Sequence, residues 1–125
     1  MSYDLQIHVK AEGCDKYPVI ATPEIDHPTY NLSNMFRACM DWDYYQSVKE
    51  ENGKYHTFYY RCDEVLPKIE HGIKELRTNS KAYEQYEPDN GWGTLHGAIS
   101  VLESLRDCIY EQAEDVPLEC LYMSW

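Results

Sequence analysis

Apolar and polar positions alternate through the first eleven residues. Tyr3, Leu5, Ile7, Val9 and Ala11 fall on one side, and Asp4, Gln6, His8 and Lys10 on the other. A period of two predicts a half-buried strand, and Gly13 ends it. Tyr17 to Ala21 reads as a second short strand closed by Pro23. Ile25 to Tyr30, with Pro28 inside it, reads as loop. Ser33 stands as the N-cap of a short helix whose inner face is Met35, Phe36, Cys39 and Met40. The helical pattern stops at Asp41. Tyr44, Tyr45 and Val48, then Asn52-Gly53, then Tyr55, Phe58, Tyr59 and Tyr60 predict a hairpin, because Asn-Gly tolerates positive φ at both central turn residues.

Asp63 is the expected cap of the next helix. Its stripe is Val65, Leu66, Ile69, Ile73 and Leu76, supported by the i, i+4 pairs Glu64–Lys68 and Glu70–Lys74. Pro67 falls in the first turn, where a missing N–H is tolerated. Gly72 costs about 1 kcal/mol within a helix, so it marks a close backbone approach. Asn79-Ser80 ends the helix and caps a short turn, Lys81 to Tyr86. The sharpest punctuation is Glu87-Pro88-Asp89-Asn90-Gly91-Trp92-Gly93. Thr94 then caps the longest helix, with Leu95, Ala98, Ile99, Leu102, Leu105, Cys108, Ile109 and Ala113 at helical spacing until Pro117. Leu118 to Trp125 alternates again, and this apolar end has a natural partner in the first strand.

These elements predict a single α+β domain, residues 1–125, with three main helices packed on one face of a small antiparallel sheet. The sheet would use the N-terminal strand, the C-terminal strand and the central hairpin. At 125 residues the chain buries roughly two thirds of its unfolded surface, enough for one core. Hydrophobic residues are 43%, too many for disorder, and twelve of them are Tyr. No stretch approaches the roughly 20 apolar residues of a membrane span, and no basic start leads into a signal-like apolar run. The five cysteines form no C-x-x-C pair and read as reduced thiols of a cytoplasmic protein.

The formal charge is −11, which argues against broad binding to a phosphate backbone. The charge is uneven. Residues 78–125 hold nine acids and two bases, a net −7, against −4 in residues 1–77. Glu103, Asp107, Glu111, Glu114 and Asp115 crowd the last helix towards its C-terminal end, where the macrodipole disfavours them. Such a run is either a solvated face or a surface for a basic protein partner.

Tyr30-Asn31-Leu32-Ser33-Asn34-Met35, Val65-Leu66-Pro67 and Tyr83 leading into Asn90-Gly91-Trp92-Gly93 follow one another in an order that resembles a family of small acidic bacterial and phage proteins of uncharacterised activity. In that family a Tyr-Asn-x-Ser/Thr-x-Met segment opens the first helix, Leu-Pro the second and Asn-Gly-Trp-Gly the last. The likeness covers residues 30 to about 110, and the segment from Asp41 to Cys62 is longer than the family's usual link. It implies a phage or mobile-element setting, and it carries over no catalytic residue.

Two groups of residues are candidates for function. Asn90, Gly91, Trp92, Gly93, Thr94 and His96 surround a helix N-terminus whose free N–H groups suit a small anion such as a nucleotide. The plain alternative is a rigid turn with Trp92 buried as an anchor, in which case Trp92→Ala costs about 3–5 kcal/mol. Trp42, Tyr44, Tyr45, Tyr55 and Tyr59 suit a protein interface, together with Glu103, Asp107, Glu111, Glu114 and Asp115. The same aromatics could instead pack a hairpin onto the helices. Five scattered histidines and the Asp41-x-Asp43 pair show no metal-ligand spacing, and no cofactor motif is present. No nucleophile, base and orienting group are legible together; Cys62 with His56 is the nearest to such a pair. The leading expectation is a non-catalytic binding protein acting on a host protein with a basic surface, without direct nucleic-acid or membrane contact. An anion-binding domain comes next and an enzyme third. Oligomeric state is open.

Overall fold

The computed structural model describes residues 5–11, 13–23, 32–87 and 94–125. The turn holding Asn90, Gly91, Trp92 and Gly93 lies outside them, as do Tyr3 and the expected loop from Ile25 to Tyr30, with Asn31 after it. The elements are β1 (Gln6–Val9), β2 (Val19–Ala21), α1 (Ser33–Met40), β3 (Val48–Lys49), β4 (Tyr55–His56), β5 (Tyr60–Arg61), α2 (Cys62–Thr78), α3 (Ser80–Glu84), α4 (Leu95–Ala113) and β6 (Leu121–Ser124).

The sheet runs β2-β1-β6-β5, antiparallel throughout, and α1, α2 and α4 pack on one of its faces. This is the expected α+β architecture. The two terminal strands are its central pair, with Ile7 opposite Met123 and Val9 opposite Leu121. Leu5, Ile7, Leu121, Met123 and Trp125 point into the core. They meet Met35, Phe36, Cys39 and Met40 of α1, the full expected stripe of α2, and Ala98, Val101, Leu102, Leu105 and Ile109 of α4. The stripes and the alternation therefore name most of this core, because periods of 3.6 and two are set by backbone geometry; Val101 is not among the expected positions, and Leu118–Cys120, expected in the last strand, form a 3-10 turn before it.

The central hairpin departs from expectation. β3 and β4 form their own two-stranded ladder, and only the two residues of β5 join the sheet. Its turn is also different. Glu50 N–H donates to the Lys54 carbonyl at 2.7 Å, and Gly53 N–H donates to the Glu50 carbonyl at 3.0 Å. Only Gly53 takes positive φ, +84°. This is a three-residue loop with a left-handed glycine at its end, not a two-residue Asn-Gly turn. Asn52 contributes its side chain instead, accepting from Lys54 N–H at 2.9 Å.

Helix starts shift by a residue or two. Leu32, 2% exposed, occupies the cap position of α1, so burial of the leucine sets where the helix begins and Ser33 is its first residue. α2 starts at Cys62, straight out of β5, because that thiol is buried. Asp63 is thereby inside the first turn, where its carboxylate accepts from Arg61 Nε at 3.1 Å. Pro67 lies two residues deeper than expected, on the exposed side, and cannot donate to the carbonyl four residues back. Thr94 is the expected cap of α4: its hydroxyl oxygen accepts from Gly97 N–H at 2.9 Å.

α1 ends at Asp41, a non-glycine residue at φ +50°. Its N–H donates to the Ala38 carbonyl, and Trp42 N–H donates to the Arg37 carbonyl, the paired bonds of a Schellman stop. Gly72 is the close approach that its position implied. A Cβ there would lie 2.7 Å from Met40 Cγ, 3.2 Å from Cys39 Sγ and 3.2 Å from Leu102 Cδ1.

Two outcomes follow for equilibrium urea unfolding. Gly72→Ala should destabilise by about 1–2 kcal/mol, since overpacking outweighs the gain in helix propensity. Added to Met40→Ala, it should cost much less than it does alone. Asp41→Gly should stabilise by about 0.5–1 kcal/mol, by relieving left-handed strain and removing a carboxylate from a helix C-terminus.

Candidate functional site

The aromatic stretch divides into three groups with different surroundings. The first is core. Tyr44 is 1% exposed and stacks on Trp125, with ring centroids 4.1 Å apart. The Arg37 guanidinium lies over the Tyr44 ring, 4.7 Å from its centroid, and donates through Nε and Nη2 to the Tyr44 carbonyl at 3.3 Å. Trp42 is half-buried and meets the Tyr60 ring edge-on at 4.8 Å. The Tyr60 hydroxyl accepts from Tyr45 N–H at 2.8 Å. Tyr44, expected among the partner contacts, is thus withdrawn from the surface. With Trp42 it locks residues 41–47 onto the end of the sheet.

The second group covers the sheet face opposite the helices. Tyr17 and Tyr59 stack in parallel, with centroids 4.0 Å apart, and Tyr59 stands edge-on to the His8 ring at 4.9 Å. Alternation assigns His8 to solvent, yet it is 3% exposed, with the Tyr59 ring against it and the Tyr17 carbonyl on its Nδ1. Its Nδ1 is 3.0 Å from the Tyr17 carbonyl and its Nε2 is 2.8 Å from Ser124 Oγ. A carbonyl can only accept, so Nδ1 carries the proton and Nε2 accepts from the serine hydroxyl. Burial holds the imidazole below its ordinary value, partly offset by the Tyr17 carbonyl. The order serine, imidazole, carbonyl is that of a nucleophile and its base. With Ser124 only 2% exposed, however, the pair is packed against any substrate. The alternation of both terminal strands puts His8 and Ser124 on one face; their pairing depends on a register that no local pattern states.

The third group is exposed. Every residue from Val48 to His56 is solvent-facing, so the β3–β4 hairpin projects as an arm. Tyr45, Val48 and Tyr55 are 65%, 52% and 68% exposed. Phe58 bridges the arm's base, 5.2 Å from the Tyr45 ring and 4.6 Å from the His56 ring. Cys62 and His56 are not brought together: His56 faces Glu50 on the arm, and Cys62 is fully buried. Burial pushes the Cys39 and Cys62 thiols up to about 12, which leaves both unreactive at neutral pH.

The acidic residues of α4 separate as well. Glu103 is bound by Arg77 of α2, and Asp107 accepts from Arg106 Nε at 3.1 Å. Glu111, Glu114 and Asp115 are exposed and have no ion-pair partner among the described residues. The last turn of α4 contains no base. At the other end of α4, two of the N–H groups that an anion would use are taken. Leu95 N–H donates to the Glu87 carboxylate at 2.8 Å, and Gly97 N–H donates to Thr94. An anion there would have to displace the chain's own carboxylate. His96 is exposed beside it. Among the described residues, no group of three or more His, Cys, Asp or Glu is arranged for a metal ion. No described helix is long and apolar enough to cross a membrane.

No protein-family model matches the chain, and no curated protein and no solved structure shows significant similarity to it.

A buried and an exposed tyrosine of this stretch should respond differently to truncation. Tyr44→Ala should lower stability by about 3–5 kcal/mol, whereas Tyr55→Ala should stay within about 0.5 kcal/mol, both measured by urea denaturation. Thr94→Ala should cost about 1 kcal/mol through loss of the α4 cap.

Proposed function

We propose that this protein is a non-catalytic, acidic binding protein that docks on a host protein with a basic surface, through the β3–β4 arm and the charge at the end of α4. The exposure of Tyr45 at the base of the arm, and of Val48 and Tyr55 on its two faces, carries this reading. Tyrosines that stand in water have large contact area and few rotatable bonds, so their burial against a partner is favourable at low entropic cost. A projecting hairpin places them where a partner can reach both faces. The arm itself mixes Lys49 and Lys54 with Glu50 and Glu51. Its charge selectivity therefore comes from the remaining acid, above all the unpaired Glu111, Glu114 and Asp115. Long-range attraction of this kind speeds encounter and rejects acidic partners. Five free thiols suit a reducing cytoplasm. The resemblance to phage and bacterial proteins suits a target in a bacterial host, with nucleic-acid-handling or defence proteins the class whose basic grooves an acidic domain can fill.

The test is affinity capture from bacterial lysate with three baits: wild type, Tyr45→Ala/Val48→Ser/Tyr55→Ala, and Glu111→Gln/Glu114→Gln/Asp115→Asn. Wild type should retain a basic protein at low salt and lose it near 1 M, where the screening length falls to about 3 Å. The arm variant should bind at least about 30-fold more weakly, the loss of one hot spot of about 2 kcal/mol. The charge variant should show a flatter salt dependence. Retention indifferent to salt and to both variants would refute the proposal, and so would failure to retain any basic protein.

A further inference from the structure

We propose that His8 is a proton-operated latch: protonation of its imidazole releases the Tyr17–Tyr59 cover, and with it strand β2 and the return segment of the hairpin, while the helical core stays folded. This inference is independent of any docking role.

The imidazole joins three pieces of chain that otherwise share few bonds. Nδ1 holds the Tyr17 carbonyl on the approach to β2, and Nε2 holds Ser124 on β6. Tyr59, between β4 and β5, packs perpendicular to the imidazole with ring centroids 4.9 Å apart. The β1–β2 ladder is irregular at this point. Ile7 opposes Ala21 and His8 opposes Val19, so the register slips beside the histidine. Across that slip the approach to β2 is pinned by Val9 N–H donating to the Pro18 carbonyl at 3.1 Å. β2 is an edge strand with Val19 and Ile20 exposed, so little core burial secures it.

The neutral ring satisfies both neighbours. A second proton on Nε2 turns an acceptor into a donor, and the Ser124 hydroxyl loses the partner for its own hydrogen. The charged groups around the ring do not favour a cation. Lys10 stands on the far side of Tyr17, with Nζ 5.5 Å from that ring's centroid. Arg61 of β5 sits opposite Tyr122, and its guanidinium engages Asp63. Among the described residues, the other titratable groups in ring contact on this face are the tyrosines Tyr17, Tyr59 and Tyr122. No described carboxylate makes an ion pair with His8.

The sign follows from burial. The closed form has an imidazole pKa below the ordinary value of about 6.5, and the open form has the ordinary one. The open form therefore takes up the proton first. The latch is fully closed above about pH 6.5, weakens as pH falls below it, and loses nothing further once pH passes below the closed-form value.

The experiment is amide hydrogen exchange on the full chain at pH about 7.5 and about 5, corrected for intrinsic rates, alongside an NMR titration of the His8 Cε1 proton. Opening at residues 17–21 and 57–60 should increase by about tenfold for each unit between the open and closed imidazole values. Residues 62–78 and 95–113 should keep their protection. In His8→Gln the opening at 17–21 should be independent of pH, and in Tyr59→Ala the His8 titration should move up towards about 6.5. Equal exchange of residues 17–21 at both pH values would overturn the proposal, as would a pH effect that survives in His8→Gln. If that variant does not fold, the wild-type comparison decides. Loss of protection must follow the His8 titration, and loss with a different midpoint overturns the latch.

Discussion

Three helices can share one core here because one of them has no side chain at the crossing. Gly72 brings the α2 backbone within reach of Met40 and Cys39 of α1 and of Leu102 of α4. A methyl group would force all three apart, since protein interiors have few voids larger than a water molecule. The cost of a glycine in mid-helix is about 1 kcal/mol, and the contact it permits offsets that cost. With α1 fixed against α2, the chain leaves the core at Asp41 in a set direction. That exit angle decides where the aromatic residues from Trp42 to Tyr45 can go.

Trp125 receives the chain at the far side of that exit. Its indole stacks on Tyr44, lies 5.8 Å from the Phe36 ring and 6.3 Å from the Trp42 ring, and its carbonyl accepts from Ser47 N–H. One residue beyond β6 thus ties α1, the segment 41–47 and the sheet together. The hairpin beyond Ser47 is left free to project because everything before it is fixed.

Helices and terminal strands were legible because their signals are periodic and long. The stripe of α2 names only buried residues; that of α4 names Ala98, Leu102, Leu105 and Ile109 correctly but misses Val101 and includes the partly buried Leu95, Ile99, Cys108 and Ala113. Short elements were unevenly legible: β2 falls within the expected Tyr17–Ala21, but the pairing of β5 was not foreseen. Two residues are enough to place β5 in the sheet, and no propensity argument separates that from a loop. Surface and core aromatics were not separable either. Tyr44 and Tyr45 are neighbours with opposite fates, because successive side chains in an extended segment point to opposite sides. Composition registers both as tyrosine. The His8–Ser124 pair was hidden for a related reason: a polar residue on the outer side of a strand reads as solvated unless a distant group covers it, and here the Tyr59 ring and the Tyr17 carbonyl do. At the start of α4 the cap Thr94 was visible, but Glu87 as a resident anion was not, since it reaches Leu95 N–H from eight residues away.

The central pairing of β1 with β6 also has a consequence for how the fold is reached. Ile7 and Met123 are 116 positions apart, yet they are neighbours in the middle of the sheet. Closing so long a loop carries a large entropic cost before any contact compensates it. α1, α2 and α4, by contrast, are linked by shorter segments and carry their own apolar stripes. Contacts among the helices are closer in sequence than the β1–β6 contacts, which favours their forming before that pair closes. β2 pairs locally with β1, whereas β5 gains its only strand partner, β6, when the end of the chain docks. Until β6 pairs with β1, the apolar face of the helical layer lacks Leu121, Met123 and Trp125 and stays open to water and to other chains.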